Sequence, residues 1–183
     1  DRSEDSVDRS GVFDSENVIL HAWLDLSDFG NPSNGNDCWG YTSPSGREYA
    51  LMGLSNKMTV VEITDPSNPV IIDSISHSNS LWADIKVYQD VAYVSNENGG
   101  GIDIIDLANV DNGVVTLVQR LTTNGLSHVH NIAIDTESGF LYLCSSDLNN
   151  GRTVAFDLSD PRYPTIAGQQ SGGPSFHDAQ VVT

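Results

Sequence analysis

The feature of this sequence that most restricts its fold is an internal repeat of roughly 45 residues. Three segments align, namely "LWADIKVYQDVAYVSNE", "VHNIAIDTESGFLYLCSSD" and "FHDAQVVT". With Asp84, Asn131 and Asp178 in register, the spacings are equal, since 131 − 84 = 47 and 178 − 131 = 47. An earlier segment, "CWGYTSPSGREYALMGLS", aligns with Gly40 in the same column at a spacing of 84 − 40 = 44. Near-equal spacing predicts one structural unit that is repeated along the chain.

Each unit has the pattern of four short strands and shows no helical period. Runs rich in Val, Ile, Tyr and Leu, such as "NIAID" and "FLYLCSS", alternate with turn sequences such as "NENGGG", "DLNNG" and "DPSNP". Four strands in roughly 45 residues are typical of one blade of a β-propeller. We therefore predict an all-β fold, specifically a β-propeller built of four-stranded antiparallel blades.

The repeat also predicts how the chain is divided. The segment "NVILHAWLDL", Asn17 to Leu26, is predicted to be a lone outer strand. Residues 1–16 are acidic and Ser-rich, which favours a tail or linker. Because a propeller closes with roughly four to eight blades, we expect the N-terminal part of an incomplete ring, whose missing blades come from the rest of a longer chain. The predicted propeller domain is residues 17–183, with blades at 36–76, 80–122 and 127–170 and the start of the next at 175–183.

The composition restricts the partners. Asp and Glu number 25 against 8 Lys and Arg, which gives a formal net charge of −17. Phosphate backbones and anionic lipids are bound by basic surfaces, so we predict no nucleic-acid partner and no attraction to an acidic membrane. No run approaches the roughly 18 apolar residues of a membrane-spanning helix. Cys38 and Cys144 lack the spacing of a zinc site and belong to units two blades apart, so no disulfide is expected between them.

Repeated polar residues on the first strands predict a site at the mouth of the propeller channel. The first strand of a blade lines the channel, so the repeat brings Asp84 and Asp178 into one ring and His130 and His177 into the ring beside it. Imidazole with carboxylate suits a transition metal, whereas carboxylates with carbonyl oxygens suit calcium. These four residues are therefore candidate metal ligands, for a calcium or transition-metal ion. The alternative is that they only form hydrogen bonds between blades.

Three further residues are candidates for ligand binding at the same mouth. Asn131 occupies the carboxylate column, and His128 lies two residues before His130, on the same side of an extended strand. Trp82 precedes the first strand of the second blade, and packing within the blade is the alternative role for its ring. Another acidic column lies at the end of each third strand, and we predict turn and inter-blade hydrogen bonds for its members, Glu62, Asp106 and Asp157.

Five motifs in order resemble the LVIVD-repeat propellers that are grouped as choice-of-anchor B family proteins: "DCWGYTSPSGREYALMGLSN", "TVVEITDPSNPV", "NSLWADIKVYQDVAYVSNE", "VHNIAID" and "HDAQVV". The resemblance covers the chain from residue 17 onwards. It implies a secreted or cell-surface protein of a bacterium or archaeon, with extracellular localisation and no established enzymatic activity. We therefore expect a non-enzymatic binding scaffold with a protein or polymer partner. The alternative is a metal-dependent hydrolase or oxidoreductase with its His/Asp site at the channel mouth.

Overall fold

The computed structural model describes residues 16–182 and consists mainly of β-strands. Twelve strands form three four-stranded sheets, numbered here in chain order, and within each sheet the strands that follow one another pair antiparallel. Sheet 1 contains β1 (Gly35–Thr42), β2 (Glu48–Leu54), β3 (Lys57–Glu62) and β4 (Val70–Ser76). Sheet 2 contains β5 (Ile85–Tyr88), β6 (Val91–Ser95), β7 (Ile102–Asp106) and β8 (Thr116–Leu121). Sheet 3 contains β9 (Val129–Asp135), β10 (Phe140–Ser146), β11 (Val154–Asp157) and β12 (Thr165–Gln169).

Helical structure in residues 16–182 is limited to three 3-10 segments of three or four residues. None of the helices in this part of the chain is long and apolar enough to cross a membrane. The predicted all-β class is therefore confirmed, and each predicted unit contains one four-stranded sheet. The helical segments are Val110–Asn112, Thr123–Gly125 and Leu148–Gly151.

Sheet 2 is packed on both of its faces. All five residues of β6 are buried, although successive side chains of a strand point to opposite faces. Ala92 and Val94 belong to the core shared with sheet 1, whereas Val91 and Tyr93 belong to the core shared with sheet 3. A strand that is buried on both faces reads as a continuous apolar run, which is what the sequence of β6 shows. Each large side chain buried in this way contributes about 1.5–3 kcal/mol.

The sheets approach one another most closely at their first strands. The backbone of β1 lies beside that of β5, and the backbone of β5 lies beside that of β9. The fourth strands, at the opposite edges, carry mainly exposed or half-buried side chains. The polar side chains of the first strands are consequently brought close to one another.

Two members of the acidic column at the ends of the third strands have the structural role predicted for them. Asp106 and Asp157 each accept a backbone N–H from two residues further along the chain, at 2.8 and 2.7 Å. Glu62 forms an ion pair with Arg47 within sheet 1, and Asp106 also binds Arg162 of sheet 3. These contacts close turns and join neighbouring sheets.

Two predicted strands are absent from residues 16–182. The segment from Asn17 to Leu26 contains no strand, and the turn that follows it places Phe29 against Leu54 and Val61 of sheet 1. Residues 175–182 also contain no strand, and Thr183 lies outside the described residues. A strand is maintained by hydrogen bonds to a neighbouring strand, and no strand of the described chain pairs with either segment. The tail predicted at residues 1–16 lies, apart from residue 16, outside the described residues.

Candidate functional site

An open groove of about 520 Å³ borders the first strands. Its lining residues come from β1, from β5 and the residues just before it, from β9, and from the segment after β12. The groove is therefore formed jointly by all three sheets. Four of the residues predicted for the site line it: Trp82, Asp84, Asn131 and Asp178.

An aspartate near the first strand of one sheet binds the backbone of the next sheet. Oδ2 of Asp37 accepts the N–H of Ile85, and Oδ2 of Asp84 accepts the N–H of Ile132, both at 2.8 Å. The two links span the same distance along the chain, since 85 − 37 = 48 and 132 − 84 = 48. This repeated hydrogen bond fixes the position of each first strand relative to the first strand of the neighbouring sheet.

Asp37, and not Gly40, is the counterpart of Asp84 in sheet 1. Its spacing of 84 − 37 = 47 equals that of the rest of the column. The strand β1 bulges just before Cys38, where its register with β2 shifts. Gly53 lies opposite the bulge, and a Cβ there would collide with it. The spacing of 44 at Gly40 therefore does not mark an equivalent position, whereas the spacing of 47 at Asp37 does.

Asp84 is nearly fully buried, and protein groups occupy both of its oxygens. Oδ1 pairs with Nζ of Lys86, and this ammonium group lies 4.7 Å from the centre of the Trp39 ring. Burial raises the pKa of the Asp84 carboxyl, the Asp37 carboxyl adds to that rise, and Lys86 and the Ile132 N–H oppose it. Asp84 is therefore a structural link between sheets, and each of its oxygens already accepts a protein donor.

Asn131 and Asp178 belong to the same alignment column as Asp84, but they form different hydrogen bonds. Nδ2 of Asn131 donates to the carbonyl oxygen of His177 at 3.1 Å. Oδ1 of Asp178 accepts the N–H of Ala179 at 2.7 Å. Trp82 lines the same groove and is 55% exposed. The groove therefore offers amide and carboxylate groups beside an exposed indole ring.

Two of the predicted histidines are in direct contact. Nε2 of His130, on β9, lies 2.8 Å from Nε2 of His177, and the ring centres are 4.4 Å apart. On the other side of the His130 ring, Nδ1 is buried and lies 3.1 Å from Oε1 of Glu97, without the geometry of a hydrogen bond. The His130 side chain is only 17% exposed, whereas His177 is exposed. The two rings have the geometry to share either a proton or a cation.

His128 is bound by a different carboxylate. Its Nδ1 lies 3.1 Å from Oδ2 of Asp147, which also accepts the backbone N–H groups of Ser127 and His128. Burial acts to raise the pKa of Asp147, but the hydrogen bonds from His128 and from the backbone hold it below its ordinary value. The predicted alignment of His128 with His130 assumed one continuous strand. The strand β9 begins only at Val129, so strand alternation does not apply to His128.

The four predicted metal ligands do not form one cluster. Within residues 16–182, no group of three or more His, Cys, Asp or Glu side chains is arranged to hold a metal ion. Asp84 and Asp178 have the hydrogen bonds described above, while His130 and His177 form a pair by themselves. The thiols of Cys38, exposed, and Cys144, buried, are free.

Sequence reasoning missed Asp37, Lys86 and Glu97. The spacing of 47 would have identified Asp37. Lys86 lies two residues after Asp84, and it is one of only two lysines in the chain. Glu97 lies in the loop after β6, outside the aligned columns, and its position beside His130 depends on how sheets 2 and 3 pack.

Two comparisons with known proteins gave no match for this chain. No model of a protein family matches it, and a search of curated proteins found no significant match. Function therefore has to be inferred from the groove and its side chains.

Proposed function

We propose that this chain is part of a β-propeller that acts as a non-enzymatic, secreted or cell-surface binding scaffold, like the choice-of-anchor B proteins that it resembles. The observation that carries the proposal is the repeated hydrogen bond from Asp37 to Ile85 and from Asp84 to Ile132. Links of equal length and spacing displace each sheet from its neighbour in the same way. Repeating the same displacement from sheet to sheet generates a ring or an open helix. The sheets approach one another most closely at their first strands, which favours the ring.

The groove supports a polysaccharide as the partner. The exposed indole of Trp82 offers a flat apolar face to a sugar ring, while Asn131, Asp178 and Gln180 offer hydrogen-bonding groups to its hydroxyls. The net charge of −17 disfavours a polyanion. We therefore propose a neutral or cationic polysaccharide.

Affinity electrophoresis tests this proposal. Native gels would contain a soluble β-glucan, a mannan or a cationic glucosamine polymer, and we expect at least one of them to retard the wild-type protein. Trp82→Ala is expected to weaken that binding by about 2 kcal/mol, because an aromatic ring in a binding groove is a typical hot spot. The matched control is Tyr163→Ala, which removes a 60% exposed ring from the turn before β12 and should leave the retardation unchanged. Equal retardation of Trp82→Ala and wild type, or none by any polymer, would contradict binding in the groove.

A metal-dependent enzyme is the second candidate function. The contact between His130 and His177 favours it, because two converging imidazoles are common in metal centres. Its first requirement is that this pair holds a metal ion.

A further inference from the structure

We infer that His130 and His177 form a binding site for a divalent transition-metal ion of the zinc, copper or nickel class, with Glu97 as a positioning residue. Imidazole nitrogen is a preferred ligand of these ions. The site goes beyond the binding scaffold and does not depend on polysaccharide binding.

The site is formed where consecutive units meet. Glu97 lies in the loop after β6 of sheet 2, His130 lies on β9 of sheet 3, and His177 follows β12. The backbone N–H of Val129 donates to the carbonyl oxygen of Asn96 at 3.0 Å. Because Asn96 precedes Glu97 and Val129 precedes His130, this hydrogen bond fixes the two side chains beside each other.

Glu97 lies where a carboxylate can orient the His130 ring for coordination. Its carboxylate lies 3.1 Å from Nδ1, which favours the tautomer with the proton on that nitrogen. Nε2 then carries the lone pair, and it is directed at Nε2 of His177. A carboxylate on the far nitrogen of a histidine is the usual outer-shell partner of a metal-binding imidazole.

The separation of the two Nε2 atoms is close to that of two ligands on one ion. Zinc–nitrogen bonds of about 2.0–2.1 Å at tetrahedral angles place two nitrogens about 3.3 Å apart. The observed 2.8 Å requires only a small movement, and His177 is exposed and lies outside the strands. The remaining coordination positions are filled by water or an exchangeable ligand, since the described residues supply no third side chain of the usual ligand types.

Titration of the chelator-treated chain tests the site. We would add Co²⁺ and follow its visible absorption, and add Zn²⁺ and follow the heat of binding. We expect one ion per chain, and we expect saturable binding to be lost in His130→Gln and in His177→Ala. Glu97→Gln should weaken zinc binding roughly 10- to 100-fold, as is typical of outer-shell partners. The control His128→Gln should bind like wild type, because the His128 ring is bound to Asp147.

Failure of the wild type to bind either ion saturably, or binding that persists in both histidine variants, would overturn the inference. The pair would then be only a hydrogen bond between the two rings. Circular dichroism and thermal unfolding would verify that each variant is folded. If His130→Gln does not fold, His177→Ala provides the test, because it removes an exposed side chain. Trp82→Ala should retain metal binding and His177→Ala should retain polysaccharide binding, so the two proposals fail separately.

Discussion

At the scale of single residues, the surroundings of a carboxyl group decide whether its pKa is raised or lowered. Burial raises the pKa of Asp103, and Arg120 and His77 only partly oppose that effect. Hydrogen bonds from Arg162 hold the pKa of Asp106 below its ordinary value, against the effect of burial. Desolvation penalises the charged form of a carboxyl group, whereas a bound cation stabilises it. The two groups therefore make opposite contributions to the dependence of stability on pH.

Asp103→Asn should gain stability relative to wild type as the pH rises above about 3.8, the ordinary pKa of the side chain. Between that value and the raised pKa of the folded state, the native protein holds more protons than the unfolded chain. The free energy of unfolding of the wild type therefore falls as pH rises through this window and levels off above it. The amide side chain of the variant does not titrate, so the difference between variant and wild type should grow over the same window. Urea unfolding at a series of pH values measures this difference.

Asp106→Asn is the matched control, and its sign is opposite. The pKa of Asp106 is lowered in the folded state, so its contribution to stability is present above the ordinary pKa and is lost as pH falls through the folded value. This variant should therefore lose stability relative to wild type as the pH rises. The same pH trend in both variants would show that the surroundings of Asp103 have been misjudged.

The site was partly predictable at this scale. Equivalent residues of a radial repeat occupy equivalent positions, and this argument placed His130 and His177 side by side, where the structure has them in contact. Asp37 was missed because the first unit was aligned at Gly40, at a spacing of 44 instead of 47, and strand alternation did not apply to His128 because it precedes β9. Glu97 depends on contacts between two sheets, which no local pattern encodes.

At the scale of elements, the turn between β11 and β12 joins sheet 3 to sheet 2. The guanidinium group of Arg162 donates to Asp106 and to Asp90, with the shortest contacts at 2.9 Å. The hydroxyl of Tyr93, on β6, donates to the carbonyl oxygen of Pro161 in the same turn at 2.6 Å. This turn therefore contributes to the packing of neighbouring sheets as well as connecting two strands.

Arg162→Ala should lower the free energy of unfolding by about 1–2 kcal/mol, because it removes charge-assisted hydrogen bonds that are only partly screened by solvent. Arg162→Lys should recover only part of that loss, since an ammonium group cannot reproduce the bidentate contact. Urea denaturation measures both values. The control Arg152→Ala removes one hydrogen bond to the carbonyl oxygen of Gly173 and should change stability by less than about 0.5 kcal/mol. Equal effects of Arg162→Ala and Arg152→Ala would contradict a role for Arg162 in joining the sheets.

Strand prediction succeeded inside the units and failed outside them. Within a unit, apolar runs between turn sequences give both a strand and its neighbours, so the four-stranded sheets were predictable. The segment "NVILHAWLDL" has a similar composition, but its strand was not formed because no neighbouring strand pairs with it in the described chain. A local sequence indicates a preference for extended backbone, but it does not indicate whether a neighbouring strand is present to pair with it.

At the scale of the whole molecule, two apolar cores hold the three sheets together, one on each face of sheet 2. The repeat predicted the number and order of the sheets, because each unit carries its own turns and apolar runs. It could not predict the displacement between sheets, which depends on side-chain links such as those of Asp37 and Asp84. The proposed ring depends on these links, because their repetition gives neighbouring sheets the same displacement.

Amide hydrogen exchange at Ile85 and Ile132, measured by NMR, tests these links most directly. Both amides should be protected in the wild-type protein. Asp37→Ala should accelerate exchange at Ile85 and Asp84→Ala at Ile132, each by roughly tenfold or more, because each variant removes a hydrogen bond to a charged acceptor. The amide of Val94, in the middle sheet, should stay protected in both variants. Fast exchange of Ile85 and Ile132 in the wild type, or protection that survives removal of the carboxylates, would contradict the account.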